Sequence, residues 1–534
     1  MDNLNITETN FGVTFSNHRT YSDETYTTYG EKNDKNIFEE AVDNAILDKY
    51  ASVEEKEYIL SNPKEDQRLM TLSLLDTDNE LWCKLYENIH GNSTPKMEQI
   101  RETLLMLREF VKTGNMEKKN FGEVMTPIDE VVIPMLKTLS NRVWVNPYLK
   151  WLDPANGCGP YPMMVIYKLM KTLRGYKDDK LDLTDDDVRY KHIVENMIYT
   201  SDIQAKNVFL WQIASDPSDE FNLNSYWGSS LGEEFDFHMK KVWNIDKFDI
   251  ILGNSPYQEV GISGKSKGGG KGGDNNLWSK FIYKFLPLCD NLLFINPSSF
   301  LSPNHNILNF FNDNGIISNI KIYNKSPFDN ASTTACHYLW ERNSKFDYSM
   351  SSEGFKIDLK TSILPNSSNV IDFTLFGKFF NNKKEKINFI RTCTLHTSTK
   401  KQYISKEESD TFIHPLASGS KTLFSSIKSK DHDDKKVIVS RSGYLNPKYD
   451  DGKTSISESN YYVIVEGIEE GNKIETLLKS KLYDYVLKKT KFSGFFHGEV
   501  LKNIPLVPFD REWTDEKLYE YFDLTEDEIK LIEG

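Results

Sequence analysis

Between about Phe121 and Trp340, short apolar runs alternate with amphipathic segments, and this alternation constrains the fold more than any other feature of the chain. Strands are predicted at 149–152, 197–201, 248–252, 291–295 and 317–323, and helices at 161–173, 204–214 and 277–288. Apolar runs without polar alternation are buried on both faces, and strands separated by helices pair in parallel. The expected class is therefore α/β, with a mostly parallel, doubly wound sheet. Ligands of such sheets bind beyond the carboxyl ends of the strands, so the residues that follow each apolar run carry the chemistry.

The run Phe248-Asp249-Ile250-Ile251-Leu252-Gly253 ends in Asn254-Ser255-Pro256-Tyr257. Asn, Ser and Pro also form ordinary turns. At a strand end the pattern suits a planar amine. The Asn254 amide oxygen and the Ser255 carbonyl can both accept from one NH2 group, while the Tyr257 ring covers a flat base. Upstream, Asp153-Pro154-Ala155-Asn156-Gly157-Cys158-Gly159-Pro160 follows another predicted strand. Its small residues allow a sharp turn and close approach of backbone to a ligand, directly before a helix. The three-glycine dinucleotide spacing is absent. Thr200-Ser201-Asp202-Ile203 ends the next strand; the Asp202 carboxylate can bind both hydroxyls of a ribose or cap the helix that follows.

In this order, Gly122-Glu123-Val124-Met125-Thr126-Pro127, Asp153 to Gly159, Asp202, and Asn254 to Tyr257 resemble the N6-adenine DNA methyltransferases of restriction-modification systems. The arrangement is their gamma order, with cofactor motifs first, the catalytic motif next and target recognition last. The resemblance covers roughly residues 118–340, and the C-terminal region only in placement and general character. It implies a Rossmann-like, seven-stranded S-adenosylmethionine-dependent methyltransferase fold. A mainly helical N-terminal extension (1–117) would precede the catalytic domain (118–342), followed by an α+β target-recognition domain (343–510) and a helical tail (511–534).

The resemblance also implies S-adenosylmethionine as methyl donor; from the spacing of the cysteines and histidines, no metal is expected. Thr126 would meet the methionine part of the cofactor, Asp153 its amino group and Asp202 its ribose, with Ala155, Gly157, Gly159 and Ile203 completing the site. Asn254, Ser255, Pro256 and Tyr257 would act on the target adenine. The expected partners are double-stranded DNA and a separate cognate restriction endonuclease. Two departures stand out. Gly228-Ser229-Ser230-Leu231 occupies the region where an acidic residue is common, and Ser255 replaces the usual proline, keeping the carbonyl acceptor but losing rigidity. Other readings are an RNA or protein-glutamine methyltransferase, since a glutamine amide is also a planar NH2, and a DNA-binding homologue without activity.

Composition narrows the classes further. A net charge of −14 over 534 residues argues against nonspecific coating of nucleic acid. Five scattered cysteines without a Cys-x-x-Cys pair indicate neither a disulfide framework nor a zinc site. No leader-like segment is seen, and no apolar run approaches the roughly 18 residues needed to span a bilayer. The expectation is a cytoplasmic protein with no membrane partner.

Four smaller readings complete the pass. Glu54-Glu55-Lys56 resembles half of a nuclease metal motif but lies in a helical context, so a solvated helix face is expected. Gly264-Lys265-Ser266 lacks the first glycine of a phosphate loop, Glu259 standing there; residues 261–273, with Lys265, Lys267 and Lys271, read as a flexible basic loop. The region after Asn343 reads as β-rich, with basic segments at Lys383-Lys384, Lys400-Lys401, Lys428 to Lys430 and Lys435-Lys436. Thr525 and Glu528 read as a capping box near the C-terminus.

Overall fold

The structure is a computed structural model that describes residues 5–9, 12–16, 35–62, 67, 70–71, 74, 126–216, 220–257, 277–328, 334–351, 354–359, 363–380, 385–391, 394–492 and 496–534. The Gly122–Met125 part of the first motif, the basic loop at 261–273 and Lys383-Lys384 lie outside the described residues. Two compact units form. One consists of Met1–Pro297, Asn314–Ile320 and Ser326–Asp347, the other of Ser298–Asp313, Lys321–Lys325 and Tyr348–Gly534.

The strands of the first unit are β1 (Trp151–Asp153), β2 (Ile198–Asp202), β3 (Asn224–Trp227), β4 (Phe248–Gly253), β5 (Cys289–Pro297), β6 (Ile316–Ile322) and β7 (Ala335–Glu341). They lie side by side in the order β6-β7-β5-β4-β1-β2-β3. β1 to β5 run parallel, and β7 is antiparallel to β5. This is a Rossmann-like arrangement, five parallel strands with the reversed β7 beside them. The five predicted strands are present within two residues at each end. β3 and β7 were not predicted: β3 has only four residues and starts on Asn224, and β7 carries a buried His337 within its apolar run.

Every residue of β1 and β2 is buried, as two-sided burial of parallel strands requires. Helices Pro160–Thr172, Asp186–Asn196 and Ala205–Ser215 make the crossovers around these strands. Ala205–Ser215 is buried around its whole circumference except at Lys206, which a helix achieves only when enclosed on all sides. The N-terminal helix Lys35–Tyr50 packs against it and buries Val42, Ile46 and Leu47. Asn5–Thr9 and Gly12–Ser16 pair as an antiparallel hairpin. Glu55 completes a reciprocal capping box with Ser52 at the start of helix Val53–Leu60, and Glu54 faces solvent, so the nuclease-like triplet is a helix start. No helix among the described residues is long and apolar enough to cross a membrane.

The second unit holds more helix than its sequence suggested. Val370–Phe380, Ile468–Lys479 and Lys481–Lys489 supply much of a core centred on Phe379, Tyr483 and Phe522, whose rings pack against one another. Phe492 and Phe496 are buried. The Thr525–Glu528 capping box is formed. Two small sheets complete the unit, one of four strands and one of three.

Among the described basic segments Lys436 is the exception: it is wholly buried on strand Lys435–Ser440. Its ammonium donates to the His432 and Asp434 carbonyls and pairs with Asp450 at 3.0 Å, directly across the ladder. Burial works against the Asp450 carboxylate, but hydrogen bonds from Thr454 and Lys436 outweigh it and hold its pKa below the usual range. Removing one partner of a buried pair strands the other charge. Lys436→Ala should therefore lower stability by about 3–5 kcal/mol, while Lys435→Ala, at an exposed position, should stay within about 0.5 kcal/mol of wild type; urea denaturation of both variants checks this.

Candidate functional site

β4, β1 and β2 are consecutive in the sheet, so their carboxyl ends bring Asn254, Asp153 and Asp202 to one edge. The turn after β1 is held by its neighbours. Asn156 N–H donates to the Ser201 carbonyl at 2.9 Å, and Gly157 N–H donates to the Asp202 carboxylate at 2.8 Å. Ser230 Oγ donates to the Pro154 carbonyl at 2.7 Å. Gly228 N–H donates to the Asp202 carbonyl. The segment that lacks the acidic residue thus braces the glycine turn.

Gly157 and Gly159 both have positive φ, at 54° and 92°. A Cβ at Gly157 would meet nothing within 4 Å, leaving its surroundings open, whereas a Cβ at Gly159 would lie 2.6 Å from the buried Trp211 ring. Gly159 also ends the turn as N-cap of helix Pro160–Thr172. Close packing of helix and turn, together with the left-handed backbone, requires glycine there.

Asp202 caps the helix that follows it and also holds the glycine turn. One carboxylate oxygen accepts from Gln204 N–H at 2.8 Å and from Asn207 Nδ2 at 3.1 Å, at the start of helix Ala205–Ser215, while the other holds Gly157. Together these bonds fix the orientation of the carboxylate. Asn207 also reaches the Cys158 thiol through its Oδ1. Sequence reasoning missed Asn207; its position in the first helical turn after Asp202 was the available signal. Ile203 is half-buried beside Asp202.

Asp153 is buried to 2% exposure, and its Oδ1 accepts from Ala155 N–H at 3.1 Å. Its Oδ2 has no partner among the described residues. Burial pushes its pKa up to about 8; the Ala155 bond opposes the rise and the neighbouring Asp202 charge adds to it. Gly253 makes room for this carboxyl: a Cβ there would stand 2.7 Å from Asp153 Oδ1.

At the end of β4, Asn254 Nδ2 donates to Thr126 Oγ1 at 3.1 Å. The bond uses the amine side of the amide, and Asn254 Oδ1 is left shielded from solvent with no partner among the described residues. Thr126, expected at the methionine end of a cofactor, is thereby brought to the Asn254 turn. Ser255 is buried and Pro256 and Tyr257 are half-buried. The Tyr257 ring meets Phe328 edge-on, with centroids 6.1 Å apart and planes at 80°. Phe328 carried no sequence signal, being a lone aromatic after Pro327.

Two expectations follow. Gly159→Ala should cost about 3 kcal/mol through backbone strain and the clash with Trp211, readable as a shift in denaturation midpoint. For Asp153, the folded state holds one proton more than the unfolded state between the ordinary carboxyl value of 3.8 and about 8. Its stabilising contribution is therefore complete below the lower value and is lost as pH rises through the upper one. The slope is at most about 1.4 kcal/mol per pH unit. Asp153→Asn, which stays neutral, should flatten that part of the stability profile.

The family model described as Eco57I restriction-modification methylase matches residues 37–328, more than half of the chain. An uncharacterized adenine-specific methylase of Mycoplasma pneumoniae is 23% identical over 333 residues, covering 47% of this chain and 76% of that protein. Among solved structures, the DrdV–DNA complex aligns with 89% of this chain and 64% of its own, at a TM-score of 0.47 and 10% identity. A nuclease-deletion mutant of the Type ISP restriction-modification enzyme LlaGI, in complex with a DNA substrate mimic, aligns with 93% of this chain and 62% of its own, at 0.46 and 11%. This chain spans less than two thirds of each of those two. On the match across residues 37–328, the chain belongs to the Eco57I restriction-modification methylase family.

Proposed function

We propose that this protein is a site-specific DNA methyltransferase that transfers the methyl group of S-adenosylmethionine to the N6 amine of a flipped-out adenine. The observation that carries the reading is the Asn254 amide: its nitrogen is committed to Thr126, and its buried oxygen has no partner among the described residues. An unpaired buried acceptor costs stability, and a site that holds one in a fixed direction is matched to a donor from outside.

The adenine amine is a poor nucleophile because its lone pair is delocalised into the ring. Asn254 Oδ1 and the Ser255 carbonyl would accept its two hydrogens and draw the nitrogen toward a tetrahedral geometry. The lone pair is then free to attack. No strong base is required; alignment and preorganised dipoles do the chemistry. Tyr257 would stack on the flipped base, recovering roughly 1–3 kcal/mol of the few kcal/mol that flipping costs. The cofactor, when bound, supplies an electrophilic sulfonium methyl. The residues present fit it: the Asp153 Oδ2, without a partner among the described residues, suits an ammonium group, the open space at Gly157 admits a ligand against the backbone, and the Asp202 carboxylate ends β2 beside that turn, where a ribose would meet it. The family match and the methylase relative support the same reading, and the 343–510 region is proposed to read the target sequence. A separate nuclease would complete a restriction-modification pair.

The test is transfer of labelled methyl to mixed-sequence duplex DNA with nucleoside analysis. Wild type should yield N6-methyladenine. Asn254→Ala should lose roughly 100-fold or more in rate, the scale on which single preorganised dipoles act, with cofactor affinity changed by less than about threefold. Label in RNA or protein instead would overturn the substrate assignment, and absence of cofactor binding would overturn the enzyme reading.

A further inference from the structure

Ser255 stands where the family's usual motif has proline, whose ring would fix the backbone torsion of that residue covalently. The serine is not loose. It is 2% exposed, and its Oγ accepts from Asn296 Nδ2 at 3.1 Å. Asn296 is wholly buried, and its Oδ1 in turn accepts from the Tyr338 hydroxyl at 2.7 Å. Tyr338 is also wholly buried.

The sheet dictates this chain of contacts. β4 and β5 are parallel with Gly253 opposite Phe294; carried two residues past the strand end, that register sets Ser255 opposite Asn296. β5 and β7 are antiparallel with Phe294 opposite Tyr338, so Tyr338 emerges on the same face as Asn296, two positions along, within reach of its amide. The Tyr338 phenol stays protonated because burial raises its pKa well above the ordinary value, and it remains a donor. Three neutral groups thus run from the reversed strand through the sheet interior to the turn.

We infer that Asn296 and Tyr338 are positioning residues that hold the Ser255 carbonyl in place through the Ser255 side chain, supplying by hydrogen bonds the restraint that proline supplies covalently. This rests on the proposed role of the Ser255 carbonyl as an acceptor for the target amine. Neither residue touches substrate; both act through Ser255. The tether is strong for its size because it is dry: each group is buried, so no water competes for the bonds.

The experiment is a cycle on the full-length protein with Asn296→Leu, Ser255→Pro and the double variant. Asn296→Leu should lower kcat roughly 10- to 100-fold, the scale on which a misplaced reacting group costs rate, with KM for DNA and cofactor affinity within about threefold of wild type. Adding Ser255→Pro should restore most of that loss, because the ring no longer needs the tether. A purely structural role for Asn296 would not give rescue by proline at a neighbouring strand. Tyr338→Phe keeps the ring and removes only the terminal hydroxyl; it should show a smaller loss with the same rescue, and it serves if Asn296→Leu does not fold. Hydrogen exchange of the peptide spanning Gly253–Tyr257 gives a readout independent of methylation: faster in Asn296→Leu, and returned to the wild-type rate in the double variant. Wild-type kcat and wild-type exchange in Asn296→Leu, or no rescue in the double variant, would overturn the inference. Altered and rescued exchange in a protein that transfers no methyl to DNA would keep the tether and reject the proposed function.

Discussion

Two-sided burial of the parallel sheet is the constraint on which the rest of this structure depends. β1 and β2 present no residue to solvent, so their backbone polar groups must be spent in the ladder, and polar side chains gather at the strand ends. Asp153, Asp202 and Asn254 collect there because β4, β1 and β2 are neighbours. Once gathered, they lie in a region of low polarizability where each unpaired group is costly, and the local hydrogen bonds read as answers to that cost.

The Asp202 carboxylate shows how one group at a strand end organises two separate segments. By holding Gly157 N–H and the first residues of a helix together, it ties the glycine turn to β2. Asp153 shows the opposite solution. Burial pushes its pKa up to about 8, and its Oδ2 has no partner among the described residues.

Much of this was legible beforehand, for a local reason. Apolar periodicity and the breaks in it are properties of short windows, so the five predicted strands and the turns behind them could be read directly, as could the capping box at Thr525 and Glu528. β3 was missed because a four-residue strand beginning on Asn224 has almost no period to detect, and the helices of the second unit were obscured by Ser, Asn and Lys between short apolar stretches. The basic segment Lys435-Lys436 illustrates a deeper limit. Charge in a sequence carries no sign of burial, and only the ladder partner Asp450 reveals that one of the two lysines belongs to the interior.

The sequence by itself determined the class of sheet and the strand ends at which reactive groups would stand, since both follow from hydrophobic pattern and turn chemistry within a few residues. Only the tertiary structure decided which polar group meets which. Thr126 reaches Asn254 across 128 positions, and Asn296 reaches Ser255 across 41. Those pairings depend on strand order and register, which are settled when distant segments pack together and not by any segment's own composition.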